Sequence, residues 1–192
     1  TAQQAQTFLQ AVQMLQQKLS YPFLKHIANS AAIIRHPQLQ FDMVRLGIGL
    51  YGIEIATEAL QLQAAATLRT TIAQLKQLKA GETVSYNRRG VVKEDSTIAT
   101  VRIGYADGYS RRFGNGVGKM LVNGHLAPVI GTVCMDMTML NVTGIPGVRE
   151  GDEVIVFGAP LPVQQVAGWI DTIPYELMTS VSQRVKRIYF QE

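Results

Sequence analysis

The spacing of apolar residues changes about a third of the way along the chain, and this change limits the folds available to it. Between residues 4 and 19, four apolar residues recur at intervals of four, three and four, which predicts one amphipathic helix. They are Phe8, Val12, Leu15 and Leu19. From about residue 60, apolar and polar residues alternate, which is typical of strands with one buried face. The sequence therefore predicts two parts of different architecture, residues 1–57 and 58–192.

The elements predicted for the first part alternate between helix and strand, as they do in a β/α barrel. After Pro22, the sequence predicts a short buried strand at Phe23 to Ala28, a helical turn at Asn29 to Arg35 and a short strand at Met43 to Leu46. Such a barrel closes with eight strands, and fewer strands leave apolar faces and sheet edges open. We therefore predict that this part is a barrel remnant, the last β/α units of a TIM-like barrel. We also expect the chain to be a piece of a longer protein.

The second part is predicted to be a mainly antiparallel, β-rich domain. Besides the alternation around residues 66–72, strands are predicted at residues 98–103, 119–122, 153–157 and 184–190. Asn123-Gly124 between two apolar runs predicts a hairpin. Thr172 with Pro174 predicts the start of a short helix that continues through Val181.

Composition and charge favour a chain that binds small molecules over one that binds nucleic acid or a membrane. Hydrophobic residues make up 47% of the 192 residues, enough for a core, and no apolar run approaches the length of a membrane span. The net charge of +4 comes from scattered basic residues rather than from a basic run. With one cysteine and no targeting signal, we expect a cytoplasmic protein, and no metal site is predicted. A basic β-rich binding module is the alternative that the charge leaves open.

Two segments of the first part combine features of a phosphate site. Ser30 offers a hydroxyl, and Gly47 allows the backbone to approach an anion, so that the N–H groups of Gly47 and Ile48 point at its oxygens. Arg45 adds a permanent positive charge two residues before Gly47. Taken singly, Asn29 with Ser30 is also an ordinary helix cap and the glycine loop an ordinary turn. The combination predicts an anion site.

Six segments, in one order, resemble the carboxyl-terminal half of bacterial alanine racemase. They are His26–Ala31, Val44–Gly52, Gly81–Tyr86, Ile103–Gly108, Gly131–Asp136, and Pro174–Glu176 followed by Arg184–Arg187. In that family a β/α barrel precedes a β domain, and the resemblance implies interconversion of L- and D-alanine for peptidoglycan synthesis. Many members have proline at the position of Lys186. This lysine and the ending Tyr189 to Glu192 are features of racemases that are fused behind a cell-wall peptide ligase, and the chain resembles those members here.

The resemblance implies a pyridoxal 5'-phosphate site. Cofactor contacts are implied for Asn29, Ser30, Gly47, Ile48 and Tyr175. Arg45 resembles the arginine that hydrogen-bonds the pyridine nitrogen, and His26 resembles the residue that orients this arginine. A guanidinium holds its protons too tightly to give one to the ring, which favours return of a proton to the substrate Cα over side reactions.

The resemblance also implies residues for catalysis and for the substrate. Racemisation removes a proton from one face of Cα and returns one to the other, so two acid/base groups are required. Tyr86 resembles the tyrosine that is one of them and that acts in the opposite subunit, which implies a homodimer with composite sites. Met135 resembles the residue whose backbone N–H contacts the substrate carboxylate, while Tyr105 and Arg111 resemble residues of the entry corridor. Thr132 stands in that corridor where the family often has arginine.

The other acid/base group of the family is a lysine that also bonds the cofactor, and none of the seven lysines here matches it. Lys25 is the nearest to the predicted phosphate site. It adjoins His26 on a predicted strand, where neighbouring side chains face opposite ways, so Lys25 is expected to point away from the ligand. We therefore expect the isolated chain to be inactive. An amino-acid decarboxylase of the same fold type is the alternative within this class.

Overall fold

The computed structural model describes residues 1–53 and 62–190 of the chain. It forms two compact units, residues 1–65 and residues 66–192. The domain boundary predicted at residues 57 and 58 lies outside the described residues. Among the helices of the described ranges, none combines the length and the apolar character that crossing a bilayer requires.

The first unit begins with the predicted amphipathic helix. Helix α1 spans Ala2–Lys18 and buries Ala5 and Val12 on one face. It ends where Leu19 takes an extended conformation. Helix α2 spans Ser30–Arg35, which confirms the predicted helical turn. Short 3-10 helices follow at Pro37–Leu39 and Ile48–Tyr51.

The two short strands predicted in the first unit are wrong. Residues 23–28 have no regular secondary structure, and in residues 43–46 the structure records only a single parallel bridge, from Arg45 to Asn29. The Arg45 N–H donates to the Ala28 carbonyl at 2.8 Å, and the Asp42 N–H donates to the Lys25 carbonyl at 3.1 Å. A regular parallel strand is stabilised by ladders with neighbouring strands, and these contacts are too few to make one.

The second unit is built on a six-stranded antiparallel sheet with the order β6-β5-β8-β1-β4-β7. Strands β2 and β3 pair separately as a two-stranded ribbon. The strands are β1 Leu68–Leu78, β2 Thr83–Val84, β3 Gly90–Val91, β4 Ser96–Val101, β5 Lys119–Val122, β6 His125–Pro128, β7 Thr138–Asn141 and β8 Glu153–Phe157. An antiparallel bridge between Val129 and Leu140 joins the two edges of the large sheet, so the sheet is nearly closed into a barrel. The predicted antiparallel, β-rich architecture is confirmed for this unit.

Alternation of side chains places the core of the second unit. Buried and partly buried residues alternate strictly along β5 and β7. The residues of the sheet region that are almost fully buried are Ala99, Val101, Met120, Val122, Ala127, Val129, Leu140, Val154 and Val156. Asn123 and Gly124 both have positive φ, 46° and 79°, as a two-residue type I′ hairpin requires, and this confirms the predicted turn.

Two short helices follow the sheet, α3 at Val163–Trp169 and α4 at Pro174–Ser180. Pro174 stands in the first turn of α4, where its missing N–H has no intrahelical partner to lose. The Thr172 hydroxyl donates to the Glu176 carboxylate across the start of this helix. The helix predicted from Thr172 and Pro174 is therefore confirmed.

The strand predicted at residues 184–190 is wrong. The Arg187 guanidinium donates to the backbone carbonyls of Val181, Ser182 and Val185 at 3.1 to 3.3 Å, which turns this segment back on itself. Tyr189 is 88% exposed, and among the described residues this segment has no strand beside it. A β-rich sequence does not form a strand without a ladder partner.

Candidate functional site

The first unit contains a hydroxyl held between a helix start and a glycine loop, which we call the cradle (Asn29, Ser30, Gly47, Ile48 and Gly49). Asn29 is the N-cap of α2, and its Oδ1 accepts a hydrogen bond from the Ala32 N–H at 3.0 Å. Ser30 is 7% exposed, and its Oγ accepts from the Gly47 N–H at 2.9 Å and from the Gly49 N–H at 3.4 Å. Both lone pairs of the hydroxyl are thus used, which leaves its proton to donate to an acceptor.

The cradle differs in one respect from the sequence prediction. The Gly47 N–H was predicted to point at an anion, but in the structure it donates to Ser30. Outside the adjacent residues, a Cβ added at Gly47 would have one neighbour within 4 Å in the described part of the chain, the Ser30 Oγ at 3.9 Å, so this side of the loop is not tightly packed there. Gly47 therefore fixes the hydroxyl and leaves room for a group beside it.

Arg45 lies next to the cradle through its parallel bridge with Asn29. Its Nη2 donates to the Ile27 carbonyl at 3.2 Å, and among the described residues no hydrogen bond joins Arg45 to His26. The role of His26 in orienting Arg45 stays a prediction. The Lys25 Nζ lies 3.5 Å from an Asp42 carboxylate oxygen, so this ammonium group has an acidic partner of its own.

Four residues that the resemblance implicates in catalysis or in the corridor, Tyr86, Tyr105, Arg111 and Thr132, lie in the second unit around one cavity of about 220 Å³, here called the tyrosine cavity. It is lined by Tyr86, Asn87, Arg89, Tyr105, Arg111, Thr132, Val133 and Cys134. The sequence did not predict four of the lining residues as site residues: Asn87, Arg89, Val133 and Cys134. The signal available for Arg89 was its place three residues after Tyr86, inside the same turn.

Tyr86 projects from a turn with an unusual backbone. Ser85 has φ 71° and ψ 172°, in a region that is almost confined to glycine, while Asn87 and Arg88 have φ of 58° and 53°. Each such residue costs roughly 1–3 kcal/mol and persists where surrounding contacts enforce it. Tyr86 is 73% exposed and contributes to the lining of the cavity.

The loops of Tyr105 and Met135 are joined through their backbones. The Tyr105 N–H donates to the Cys134 carbonyl and the Ala106 N–H to the Met135 carbonyl, both at 3.0 Å. A Cβ at Gly104 would lie 2.3 Å from the Met135 carbonyl oxygen, so this close approach requires glycine. Met135 itself is 53% exposed and follows the cavity-lining Cys134.

Tyr175 lies on α4 of the second unit, outside the lining of the tyrosine cavity, and is 39% exposed. The structure thus places Asn29, Ser30, Arg45, Gly47 and Ile48 together in the first unit, and Tyr86, Tyr105 and Arg111 together in the second. Within the described ranges, no cluster of three His, Cys, Asp or Glu side chains is arranged to hold a metal ion.

An ion-pair cluster that the sequence did not predict supports the Tyr105 and Met135 loops. The Arg184 Nε donates to Asp107 at 2.7 Å and its Nη2 donates to Asp136 at 2.6 Å. The Asp107 carboxylate also accepts from the Gly104 N–H at 2.9 Å. The hydrogen bond to Asp107 makes the larger contribution, and the one to Asp136 the next, to raising the pKa of the Arg184 guanidinium above its ordinary value. Asp107 and Asp136 each stand within two residues of a predicted site residue.

Comparison with known proteins matches both units to one family. Residues 1–55 match the family model described as alanine racemase, N-terminal domain, and residues 65–189 match alanine racemase, C-terminal domain. Alanine racemase 1 of Clostridium acetobutylicum is 40% identical over 176 residues, which cover 88% of this chain and 45% of that protein.

Solved structures give the same result. Alanine racemase from Bacillus anthracis with bound L-Ala-P superposes with a TM-score of 0.89 at 36% identity, over 98% of this chain and 50% of that one. Alanine racemase from Bartonella henselae with covalently bound pyridoxal phosphate gives 0.86 at 31% identity, over 99% and 53%. The chain belongs to the alanine racemase family. It spans about half the length of the relatives that it matches.

Proposed function

We propose that this chain supplies the carboxyl-terminal part of a pyridoxal phosphate-dependent alanine racemase, with Tyr86 as one of its two acid/base groups. The observation that carries the proposal is the tyrosine cavity, which Tyr86 lines together with two basic residues, Arg89 and Arg111. A phenol at a cavity wall can exchange a proton with a group bound there, which is the task of a general acid or base. Membership of the alanine racemase family favours this proposal over a decarboxylase or a basic binding module.

The cradle suits the phosphate group of pyridoxal 5'-phosphate. The Ser30 hydroxyl has its proton left to donate, and this side of the loop at Gly47 is not tightly packed. Asn29, Ile48 and Tyr175 are proposed as further cofactor contacts, and Arg45 as the partner of the pyridine nitrogen. When bound, the cofactor supplies an electron sink for the substrate Cα. Arg45 would donate a hydrogen bond to the pyridine nitrogen without giving up its proton, so that this nitrogen would stay unprotonated.

Tyr86 is proposed to move a proton between its Oη and one face of the substrate Cα. Its side chain is largely exposed within its own chain, which suits a group that completes a site in a second subunit. Met135 is proposed to hold the substrate carboxylate through its backbone N–H, while Tyr105 and Arg111 line the way in. The proposal includes a homodimer with composite sites. It also includes alanine as the substrate and a role in peptidoglycan synthesis in the cytoplasm.

The first unit is proposed to be the last part of a β/α barrel. Its bridge between Asn29 and Arg45 is parallel, the direction that strands of such a barrel share. We also propose that the chain alone does not racemise alanine, because a lysine is required as the second acid/base group. Lys25, the lysine nearest to the cradle in sequence, has its ammonium group beside Asp42.

The test is to purify the full-length gene product that carries this sequence and to assay it with pyridoxal phosphate and L-alanine. We expect D-alanine to form, and deuterium from heavy water to appear at Cα in both enantiomers. The 192-residue chain assayed alone is expected to give neither. A full-length dimer that binds the cofactor but forms no D-alanine would refute the proposal, and release of carbon dioxide from a basic amino acid would identify a decarboxylase instead.

A further inference from the structure

Ser85 and Thr132 are joined by three hydrogen bonds across 47 residues of sequence. The Ser85 Oγ lies 3.0 Å from the Thr132 carbonyl oxygen, 2.8 Å from the Thr132 Oγ1 and 3.0 Å from the Thr132 backbone nitrogen. A hydroxyl has one proton to donate and two lone pairs that accept. Ser85 thus donates to the Thr132 carbonyl and accepts from the Thr132 hydroxyl and N–H, which satisfies it completely. We call this pair the Ser85–Thr132 clamp.

The clamp is buried and closely packed. Thr132 is 8% exposed, so its contacts with Ser85 are largely shielded from competing water. The residue before it, Gly131, has φ +72°, and a Cβ there would lie 2.6 Å from the Ser85 Cβ. Gly131 therefore allows the two segments to approach closely enough for all three bonds to form.

The clamp acts on a backbone that would not hold its conformation by itself. Ser85 occupies the nearly glycine-only region of φ and ψ described above, and Tyr86 follows it directly. Tyr86 is largely exposed, so packing of its own ring contributes little to fixing its position. The Ser85 side-chain bonds act on this turn together with the Arg88 N–H, which donates to the Ser85 carbonyl at 3.3 Å, and the pairing of Val84 with Gly90. Among these contacts, the Ser85 bonds are the ones that tie the turn to the distant Thr132 segment.

We propose that Thr132 is a positioning residue for Tyr86 and acts through Ser85. Its consequence for catalysis rests on the function proposed above, whereas its effect on the turn does not. Proton transfer requires the phenol at hydrogen-bond reach of the reacting atom, so a looser turn lowers the rate of the proton step. We expect cofactor binding to change little, because neither Ser85, Thr132 nor Tyr86 is among the groups assigned to the cofactor.

The experiment compares three variants of the full-length gene product. Thr132→Val keeps the shape of the side chain but removes its hydroxyl, whereas Thr132→Ser keeps the hydroxyl. Ser85→Ala removes all three hydrogen bonds. Ser96→Ala is the matched control, because Ser96 is a buried serine whose hydroxyl donates to the Glu94 carbonyl, outside the tyrosine cavity lining. The readouts are amide hydrogen exchange of residues 84–89 and the kcat and KM for alanine.

We expect Ser85→Ala to increase exchange of residues 84–89 strongly and Thr132→Val to do so to a smaller extent. In Thr132→Val, kcat is expected to fall about tenfold while KM stays within about twofold, as for loss of one buried hydrogen bond at a positioning site. Thr132→Ser should restore both exchange and kcat, and Ser96→Ala should alter neither.

Unchanged exchange at residues 84–89 in both Ser85→Ala and Thr132→Val would overturn the proposal. So would a fall in kcat that Thr132→Ser does not restore. Should Ser85→Ala fail to fold, as judged by circular dichroism, Thr132→Val and Thr132→Ser decide the matter. The two proposals can fail separately. If the variants exchange faster but the wild-type full-length protein does not racemise alanine, the clamp is supported and the proposed function is refuted.

Discussion

Arg184 and Asp107 are joined by a hydrogen bond of 2.7 Å between Nε and Oδ1, although 77 residues separate them in sequence. The Asp107 side chain is only 15% exposed, and the same guanidinium also reaches Asp136. The Asp107 carbonyl in turn accepts from the Ser182 N–H at 3.0 Å. The segment after α4 is thereby fastened to the loops that carry Tyr105 and Met135.

Replacing Arg184 is expected to destabilise the second unit. Arg184→Gln removes the positive charge and leaves the mostly buried Asp107 carboxylate without its ionic partner, which is costlier than losing an exposed pair. Thermal unfolding should show a clear fall in Tm for this variant. Arg69→Gln is the control, since Arg69 pairs with Glu153 in an exposed ion pair, with both side chains about half exposed. Equal Tm values for the two variants would contradict the prediction.

Tyr109→Phe is expected to stabilise the protein. The Tyr109 hydroxyl is buried and has no hydrogen-bond partner among the described residues. The ring stacks on Phe113 at a centroid distance of 4.4 Å, a contact that phenylalanine keeps. Removing an unsatisfied buried hydroxyl should raise the free energy of unfolding by about 1 kcal/mol, or Tm by about 2–4 °C. Differential scanning calorimetry checks this, with the exposed Tyr21→Phe as the control.

The same hydroxyl predicts a dependence of stability on alkaline pH. Burial raises the pKa of Tyr109 in the folded state well above its ordinary value, so the folded protein keeps this proton when the unfolded chain loses it. The stabilisation is complete below pH about 10, the unfolded pKa, and falls as the pH rises above it, by up to about 1.4 kcal/mol per pH unit. Urea unfolding between pH 9 and 11 should show a steeper loss for the wild type than for Tyr109→Phe. Parallel curves would show that Tyr109 ionises freely.

Ser30→Ala is expected to weaken cofactor binding. The change removes the acceptor of the Gly47 and Gly49 N–H groups and the proton that we assign to the phosphate. For loss of such a hydrogen bond, the Kd for pyridoxal phosphate should rise about tenfold or more. Equilibrium dialysis of the full-length gene product measures this, with Ser20→Ala, outside the cradle, as the control. Unchanged affinity would place the phosphate elsewhere.

Tyr86→Phe tests the assignment of the acid/base group. The variant keeps the ring and the turn but cannot carry a proton, so kcat for racemisation should fall by about 10² to 10⁴. Cofactor affinity should change little, because the exposed phenol is not among the groups assigned to the phosphate. Comparable losses in turnover and in cofactor affinity would show that Tyr86 is structural. Tyr21→Phe serves as the control here too.

Local patterns in the sequence predicted most of the secondary structure correctly. Helical spacing predicted α1, the dipeptide Asn123-Gly124 predicted its hairpin, and Pro174 predicted the start of α4, because each depends on neighbours in sequence. The three strands that were predicted wrongly, at residues 23–28, 43–46 and 184–190, needed partners from other segments. Apolar character favours a strand but does not supply the ladder that stabilises it.

The candidate site shows the same division. The sequence by itself determined which side chains are available, including the Ser30 hydroxyl, the Arg45 guanidinium and the Tyr86 phenol, and their order established the family resemblance. Only the tertiary structure decided that Gly47 donates to Ser30, that Arg111 lines the same cavity as Tyr86, and that Ser85 is hydrogen-bonded to Thr132. These are contacts between segments up to 47 residues apart, formed through backbone approach and shared burial, and no local periodicity encodes them.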